Sequence, residues 1–310
     1  MIQDAKVVGE LSFVSVILLV LTFLVNFIIN FAFWFIVTQI YWFFVPCPIS
    51  GMEEMLKFLI ELTCLSVLVP ACLTSIYPMQ RFFVWTAGGH KAKGADYDRL
   101  YPLIEEICKR GNLDPSEYRL YVSKDTSINA FALGNKHIIV NQGSLNAFTD
   151  EELIGVLAHE MGHLHYGHTV SCLMCLGMEF FGHIICFAYN VMNFLCKFVY
   201  WIPFLGWIVA VFMFLINLQY QLCLLLIDTP VYFINMFGVR KTEYQADAYA
   251  CKLGLGRNLL MGFNHMVQVY GDDKLGFFES LKADHPYSGK RIKRVEKYLA
   301  KEEAKKELEA

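Results

Sequence analysis

His159-Glu160-Met161-Gly162-His163 joins two imidazoles and a carboxylate at a spacing that can bind a divalent metal and use it. On a helix, positions i and i+4 share a face, so His159 and His163 can each offer a ring nitrogen to one ion at about 2.0–2.1 Å. Glu160 stands beside the first imidazole, placed to take a proton from a water that the ion polarises. Two His with a carboxylate favour Zn2+, one per chain, and the chemistry they favour is hydrolysis. The helix is signalled by Thr149 with Glu152 three residues on, a capping-box spacing, followed by an apolar stripe of Leu153, Val156 and Leu157. So short a pattern also arises by chance, but a capped helix and a candidate third ligand downstream favour the metal reading.

A catalytic zinc with three protein ligands needs one more donor and keeps one position open. Glu243-Tyr-Gln-Ala-Asp247 offers it. On a helix both carboxylates face one way, one able to bind the metal and the other to hydrogen-bond a ligand histidine. A metzincin would need Gly at 166 and His at 169, where the chain has Tyr166 and Thr169. His168, five residues past His163, is turned off the ligand face and is read as a polar helix-end residue outside the site. Of the ten Cys, Cys64, Cys72, Cys172, Cys175, Cys186 and Cys223 lie in hydrophobic stretches and are read as packing residues; Cys172-Leu-Met-Cys175 has the spacing of a redox or zinc pair but sits in an apolar run with no second pair.

These groups must be positioned by an unusually apolar chain. With 56% hydrophobic residues and a mean hydropathy of +0.42, it is expected in a membrane. The net charge of −3, with no basic stripe, implies no nucleic-acid partner. Residues 1–80 are read as an N-terminal membrane region with two candidate spans, 11–45 and 58–77. The first is taken as one retained, tilted span rather than two crossings broken near Asn26 and Asn30. Glu61, in the second, is expected to reach the interface. Residues 81–168 form the first half of a catalytic domain, with an amphipathic helix over 97–110 and strands near Tyr118–Val122 and Ile138–Val140. Residues 169–237 read as a hydrophobic insertion with spans at 169–189 and 204–227, and Asn190, Asn193, Lys197 and Pro203 in or near the turn between them. Residues 238–310 return to polar sequence and end in a charged helix with Ile292, Val295 and Leu299 on one face.

Four segments in order carry a resemblance: Asn129-Ala-Phe-Ala-Leu-Gly134 with Gly143-Ser-Leu145, the His159–His163 motif, Glu243–Asp247, and His285-Pro-Tyr-Ser-Gly-Lys-Arg291-Ile292. The chain resembles the HtpX-type membrane metallopeptidases, the family that also contains the CAAX prenyl endopeptidases. The resemblance covers about residues 95–296, while the hydrophobic segments match only in number and placement. It implies an α-helical integral membrane protein with an α+β, gluzincin-type catalytic domain. It implies that His159, His163 and Glu243 bind zinc, that Glu160 is the general base and that Asp247 supports from behind the ligands. It also implies that Asn129, Ala130, Phe131 and Ala132 form an edge strand on which a substrate peptide adds as a further strand. His285 is expected to help stabilise the oxyanion, and Arg291 to order the neighbouring loop. The first span is longer than the family's bacterial leaders, and residues 197–240 are unusually rich in Phe, Leu and Trp.

Arg81, Lys91, Lys93, Arg99, Lys109 and Arg110 follow the second span, and Arg240 and Lys241 the fourth, while the opposite loops are poorer in Lys and Arg. That bias places the catalytic domain on the cytoplasmic side, in a bacterial inner membrane by expectation. The expected activity is endoproteolysis of membrane or misfolded proteins in quality control. Processing of prenylated proteins and a catalytically silent scaffold are the rivals.

Overall fold

In the computed structural model of the chain, the described residues are 12–45, 49, 51–223, 229–270 and 288–309. The first apolar run forms one uninterrupted helix, α1 (Phe13–Phe44). Asn26 and Asn30 do not break it: their amides donate to carbonyls one turn back, Thr22 O at 2.9 Å and Asn26 O at 2.7 Å. At 32 residues α1 is about 48 Å long, well past the roughly 30 Å of a hydrocarbon core. Helix α2 (Met52–Ser75) starts six residues before the expected 58, because Glu53 and Glu54 suit the positive end of a helix even though they add nothing to hydropathy. Glu61 is exposed on it.

The second hydrophobic block divides differently from expectation. Helix α7 (His168–Met178) is short, α8 (Phe180–Val199) follows at once, and α9 (Leu205–Cys223) comes after a turn. Asn190, Asn193 and Lys197 lie inside α8 rather than in the turn. Isolated polar residues do not stop a helix; the turn falls at residues 200–204, where Pro203 lacks an N–H and Phe204 takes a positive φ of 63°. Among the described residues, α1, α2 and α8 are long and apolar enough to cross a membrane, and the chain is a mostly helical membrane protein.

Contacts divide the chain into two compact units. One draws on Ile17–Thr74 and Leu173–Asn235. Within it Gly177 lets α7 approach α2 so closely that a Cβ there would meet Ala71 Cα at 2.6 Å, and Thr74 Oγ1 donates to Leu173 O at 2.8 Å.

The other unit draws mainly on Ser75–Cys172 and Met236–Ala310. It opens with α3 (Tyr77–Thr86), β1 (Gly89–Lys91) and α4 (Ala95–Gly111), whose buried face is Leu100, Ile104, Ile107 and Cys108. Strands β2 (Arg119–Ser123), β3 (Ala130–Leu133) and β4 (His137–Asn141) complete a sheet of order β1-β2-β4-β3. Strand β2 runs parallel to β4 and antiparallel to β1, and β3 runs antiparallel to β4. The β3–β4 turn uses Gly134 at φ 61°, where a side chain would be strained. This leaves β3 on an open edge, with its register fixed by pairs such as Ala132 opposite Ile138.

Helix α5 (Gln142–Ala147) leads to α6 (Asp150–His165), which carries the expected capping box of Thr149 and Glu152. Helix α10 (Thr229–Lys252) is continuous through the expected boundary at 237/238. Helices α11 (Gly256–Tyr270) and α12 (Ser288–Glu309) follow. One core joins α4, the sheet, α6, α10, α11 and α12 through Leu153, Leu157, Met161, Ala250, Leu259 and Val295, among others.

Candidate active site

Helix α6 is buried without a break from Leu157 to Leu164, so the polar residues there must be paired. Residues 161 and 162, which the motif leaves open in identity, explain how. Met161 is 1% exposed in the core, and Gly162 removes the side chain where α10 crosses: a Cβ there would lie 2.9 Å from Ala246 Cα. That close approach brings Glu243 and Asp247 of α10 to His159 and His163.

His159 Nε2 and His163 Nε2 are 3.2 Å apart, Glu243 Oε1 is 3.2 Å from His163 Nε2, and Glu243 Oε2 is 3.4 Å from His159 Nε2. The three side chains can offer one donor atom each within 4.8 Å of one another, all buried. A tetrahedral ion with bonds of about 2.0–2.1 Å holds its ligand atoms about 3.3–3.4 Å apart, so the spacing of these donors fits it. Charge fits as well. Glu160, Glu243 and Asp247 are each at most 4% exposed, and the one buried cation among them is Arg291, also at 4%. With both imidazoles neutral, as metal ligands must be, these described residues are together two positive charges short, the charge of a divalent ion.

Each donor residue has its own orienting partner. His159 Nδ1 donates to Asp247 Oδ1 at 2.9 Å. Arg291 holds Asp247 with both prongs, Nε to Oδ2 at 2.9 Å and Nη2 to Oδ1 at 2.6 Å, and gives Nη1 to Glu243 Oε2 at 2.8 Å. Burial and Arg291 push the His159 imidazolium down in pKa, but Asp247 and Glu243 outweigh them and hold it up at about 9. Burial raises Asp247, but Arg291 and His159 together more than reverse this, leaving its carboxyl below the usual range. Both shifts express the same excess of negative charge.

His163 is held by a residue the sequence reading set aside. Helix α6 ends at Tyr166 and Gly167 (φ 64°), and α7 restarts in a new direction with His168 at its head. The five-residue offset thus spans two helices, and the one-helix argument does not apply. His168 is 8% exposed, with Nδ1 3.0 Å from His163 Nδ1 and Nε2 3.1 Å from Gln245 Oε1. An amide oxygen only accepts, so His168 carries its proton on Nε2 and accepts at Nδ1. His163 then donates from Nδ1, leaving Nε2 bare toward Glu243 and His159. Gln245 lies between Glu243 and Asp247 in sequence, but as a neutral residue it gave no signal.

Glu160 Oε2 accepts the Ala132 N–H at 2.9 Å. Just before β3, Asn129 O accepts from Asn141 N, so alternate residues face β4 and the backbone groups of Ala130 and Ala132 point to the open edge. Phe131 lies on the same strand, and Asn129 immediately precedes it. His285 falls outside the described residues. Arg291 touches the two carboxylates and the His159 ring directly, its Nη2 3.2 Å from both ring nitrogens, which is a closer part in the site than the ordering of a loop.

The description "Peptidase family M48" matches residues 95–299, which include every one of these groups. The chain belongs to peptidase family M48. Metalloprotease LoiP of Escherichia coli (strain K12) is 39% identical over 70 residues, 23% of this chain and 27% of that protein. The match therefore spans only about a quarter of LoiP. A protease HtpX homolog of Tropheryma whipplei (strain Twist) is 28% identical over 237 residues, 69% of this chain and 77% of its own length. The crystal structure of S. mikatae Ste24p matches with a TM-score of 0.46 at 18% identity, over 93% of this chain and 68% of that one, too loose a likeness to carry an argument. Membership of M48 implies a metal ion, and the His-His-Glu group fits one.

Proposed function

We propose that this M48 member is a membrane-integral zinc endopeptidase, with His159, His163 and Glu243 as the metal ligands. The observation that carries the reading is the buried triangle of donors at 3.2–3.4 Å beside a carboxylate already hydrogen-bonded to an edge strand. Zinc bound there would supply Lewis acidity and lower the pKa of a water to about 7. The chain's own residues do the rest. Glu160 is the general base: Ala132 N–H fixes Oε2, and Oε1 takes the proton and later returns it to the leaving amine. Asp247, Arg291, His168 and Gln245 keep the ligands oriented. Residues Asn129 to Ala132 receive the substrate as an added strand through the edge-facing groups that Glu160 leaves open, the N–H and C=O of Ala130 and the C=O of Ala132. His285, from the segment before α12, aids the oxyanion.

The domain organisation follows the same reading. Residues 1–80 and 169–237 anchor the enzyme, and 81–168 with 238–310 form the catalytic domain. The chain crosses the membrane more than once, with catalysis on the cytoplasmic side of a bacterial inner membrane, supported by the Lys and Arg that follow α2. Its substrates are membrane or misfolded proteins, as quality control requires.

The test is cleavage of an unfolded reporter protein by detergent-purified chain. Wild type should cut, and both chelator and Glu160→Gln should lower the rate by about 10²–10⁴-fold. Undiminished cleavage by Glu160→Gln would remove the assigned base. A wild type that cuts nothing, itself included, would favour the silent scaffold.

A further inference from the structure

At the β1 end of the sheet, three strand spacings or about 14 Å from the β3 edge, lies a cleft of about 1250 Å³ between α3, β1, α4 and β2. That exceeds the roughly 300–1,000 Å³ of a small-molecule pocket. Its lining includes Arg81, Lys91, Lys93 and Arg119 and not one carboxylate. Arg119 is engaged, hydrogen-bonded to the Tyr77 hydroxyl with its guanidinium 4.4 Å over that ring. Arg81, Lys91 and Lys93 are exposed and make no ion pair among the described residues. Three like charges facing one concavity repel one another unless an anion sits between them.

The walls say more about the anion. Helix α3 presents Tyr77, Phe82 and Trp85 at 42%, 51% and 66% exposure, and Tyr77 and Trp85 line the cleft with Arg81. Aromatic rings beside cations are the composition found at headgroup depth in membrane proteins. Ile76 alone separates α3 from α2, a helix long and apolar enough to span, so Tyr77 lies within about 7 Å of chain from its last residue. Tyr97 and Tyr101, stacked at 5.1 Å between centroids, add a further apolar wall.

We propose that this cleft binds a phosphate group, of the kind carried by an acidic phospholipid headgroup or by free phosphate, through Arg81, Lys91 and Lys93. The site is separate from the metal centre and does not depend on how that centre is read.

The test uses the full chain in detergent and native mass spectrometry, with three probes: dioctanoyl phosphatidylglycerol, dioctanoyl phosphatidylcholine and inorganic phosphate. Wild type should take up phosphatidylglycerol saturably, at least tenfold more tightly than phosphatidylcholine. Arg81→Glu with Lys93→Glu, and separately Lys91→Glu with Lys93→Glu, should each weaken that binding tenfold or more. Lys297→Glu with Lys301→Glu, the same charge change on exposed positions of α12, should leave it unaltered. If inorganic phosphate competes at the same residues, the source is soluble phosphate; if only lipid binds, it is the membrane. Equal binding of phosphatidylcholine, or unchanged phosphatidylglycerol binding by both cleft variants, would overturn the proposal. All the substituted residues are exposed, and unchanged circular dichroism will verify that the variants fold.

Discussion

Helices α6 and α8 place their side chains in opposite ways. In α6, His159, Glu160 and His163 are buried, and each has named polar partners within 3.4 Å. In α8 nothing is buried inside the chain, and Phe187, Phe194 and Phe198 stand 70%, 58% and 64% exposed. The first helix hides polar groups because they neutralise one another and, in the function proposed above, a cation; the second shows apolar groups, as the proposed membrane anchor with lipid for its solvent would. Burial and hydrophobicity therefore run in contrary directions in the two regions, and substitutions should separate them.

The largest effect is expected at Arg291. Arg291→Met leaves Asp247 and Glu243 buried without their cation and should cost about 3–5 kcal/mol of stability, read as a lowered unfolding midpoint in detergent. Arg257→Met breaks an ion pair with Glu303 whose side chains are 74% and 54% exposed, and should cost at most about 1 kcal/mol. Equal effects would erase the contrast between buried and exposed charge.

On α8, Phe187→Arg should disfavour membrane integration by about 2.5–3.5 kcal/mol, measured as the integrated fraction in an insertion assay. No change there would mean that this face of α8 does not meet lipid. A smaller effect is expected behind His163. Gln245→Leu should weaken zinc binding about 10–100-fold in a chelator competition, whereas Gln245→Glu, which still accepts from His168, should retain it. Matching losses in both would show that packing rather than the hydrogen bond matters.

The smallest effect concerns the start of α6. Glu152 is raised by burial but held below the usual glutamate range overall by the Thr149 N–H and by His265, whose Nδ1 lies 3.0 Å away. Its stabilisation is full above the ordinary glutamate pKa and is lost as pH falls through the lowered native value. Glu152→Gln should flatten the acid limb of the stability–pH curve and leave the neutral region's slope unchanged.

The α6 half of the comparison was largely legible in the sequence, because a capped, periodic helix and two i,i+4 pairs report their own geometry. Arg291 was visible only through the family resemblance, since nothing local in a charged helix marks one arginine as buried. His168 was hidden by the helix break at Gly167, which redirects it, and Gln245 by its neutrality. Strand β1, Gly-His-Lys, has no apolar alternation and exists through its pairing with β2. In α8 the asparagines and Lys197 looked like a turn, yet a single Pro set the true boundary at 200–204.

The most direct test of the central claim is the zinc content of purified wild type, Glu160→Gln and Glu243→Ala. The account predicts about one zinc per chain in the first two and a clear loss in the third, because it makes Glu243 a ligand and Glu160 the base. Zinc lost from Glu160→Gln, or retained in full by Glu243→Ala, would contradict it.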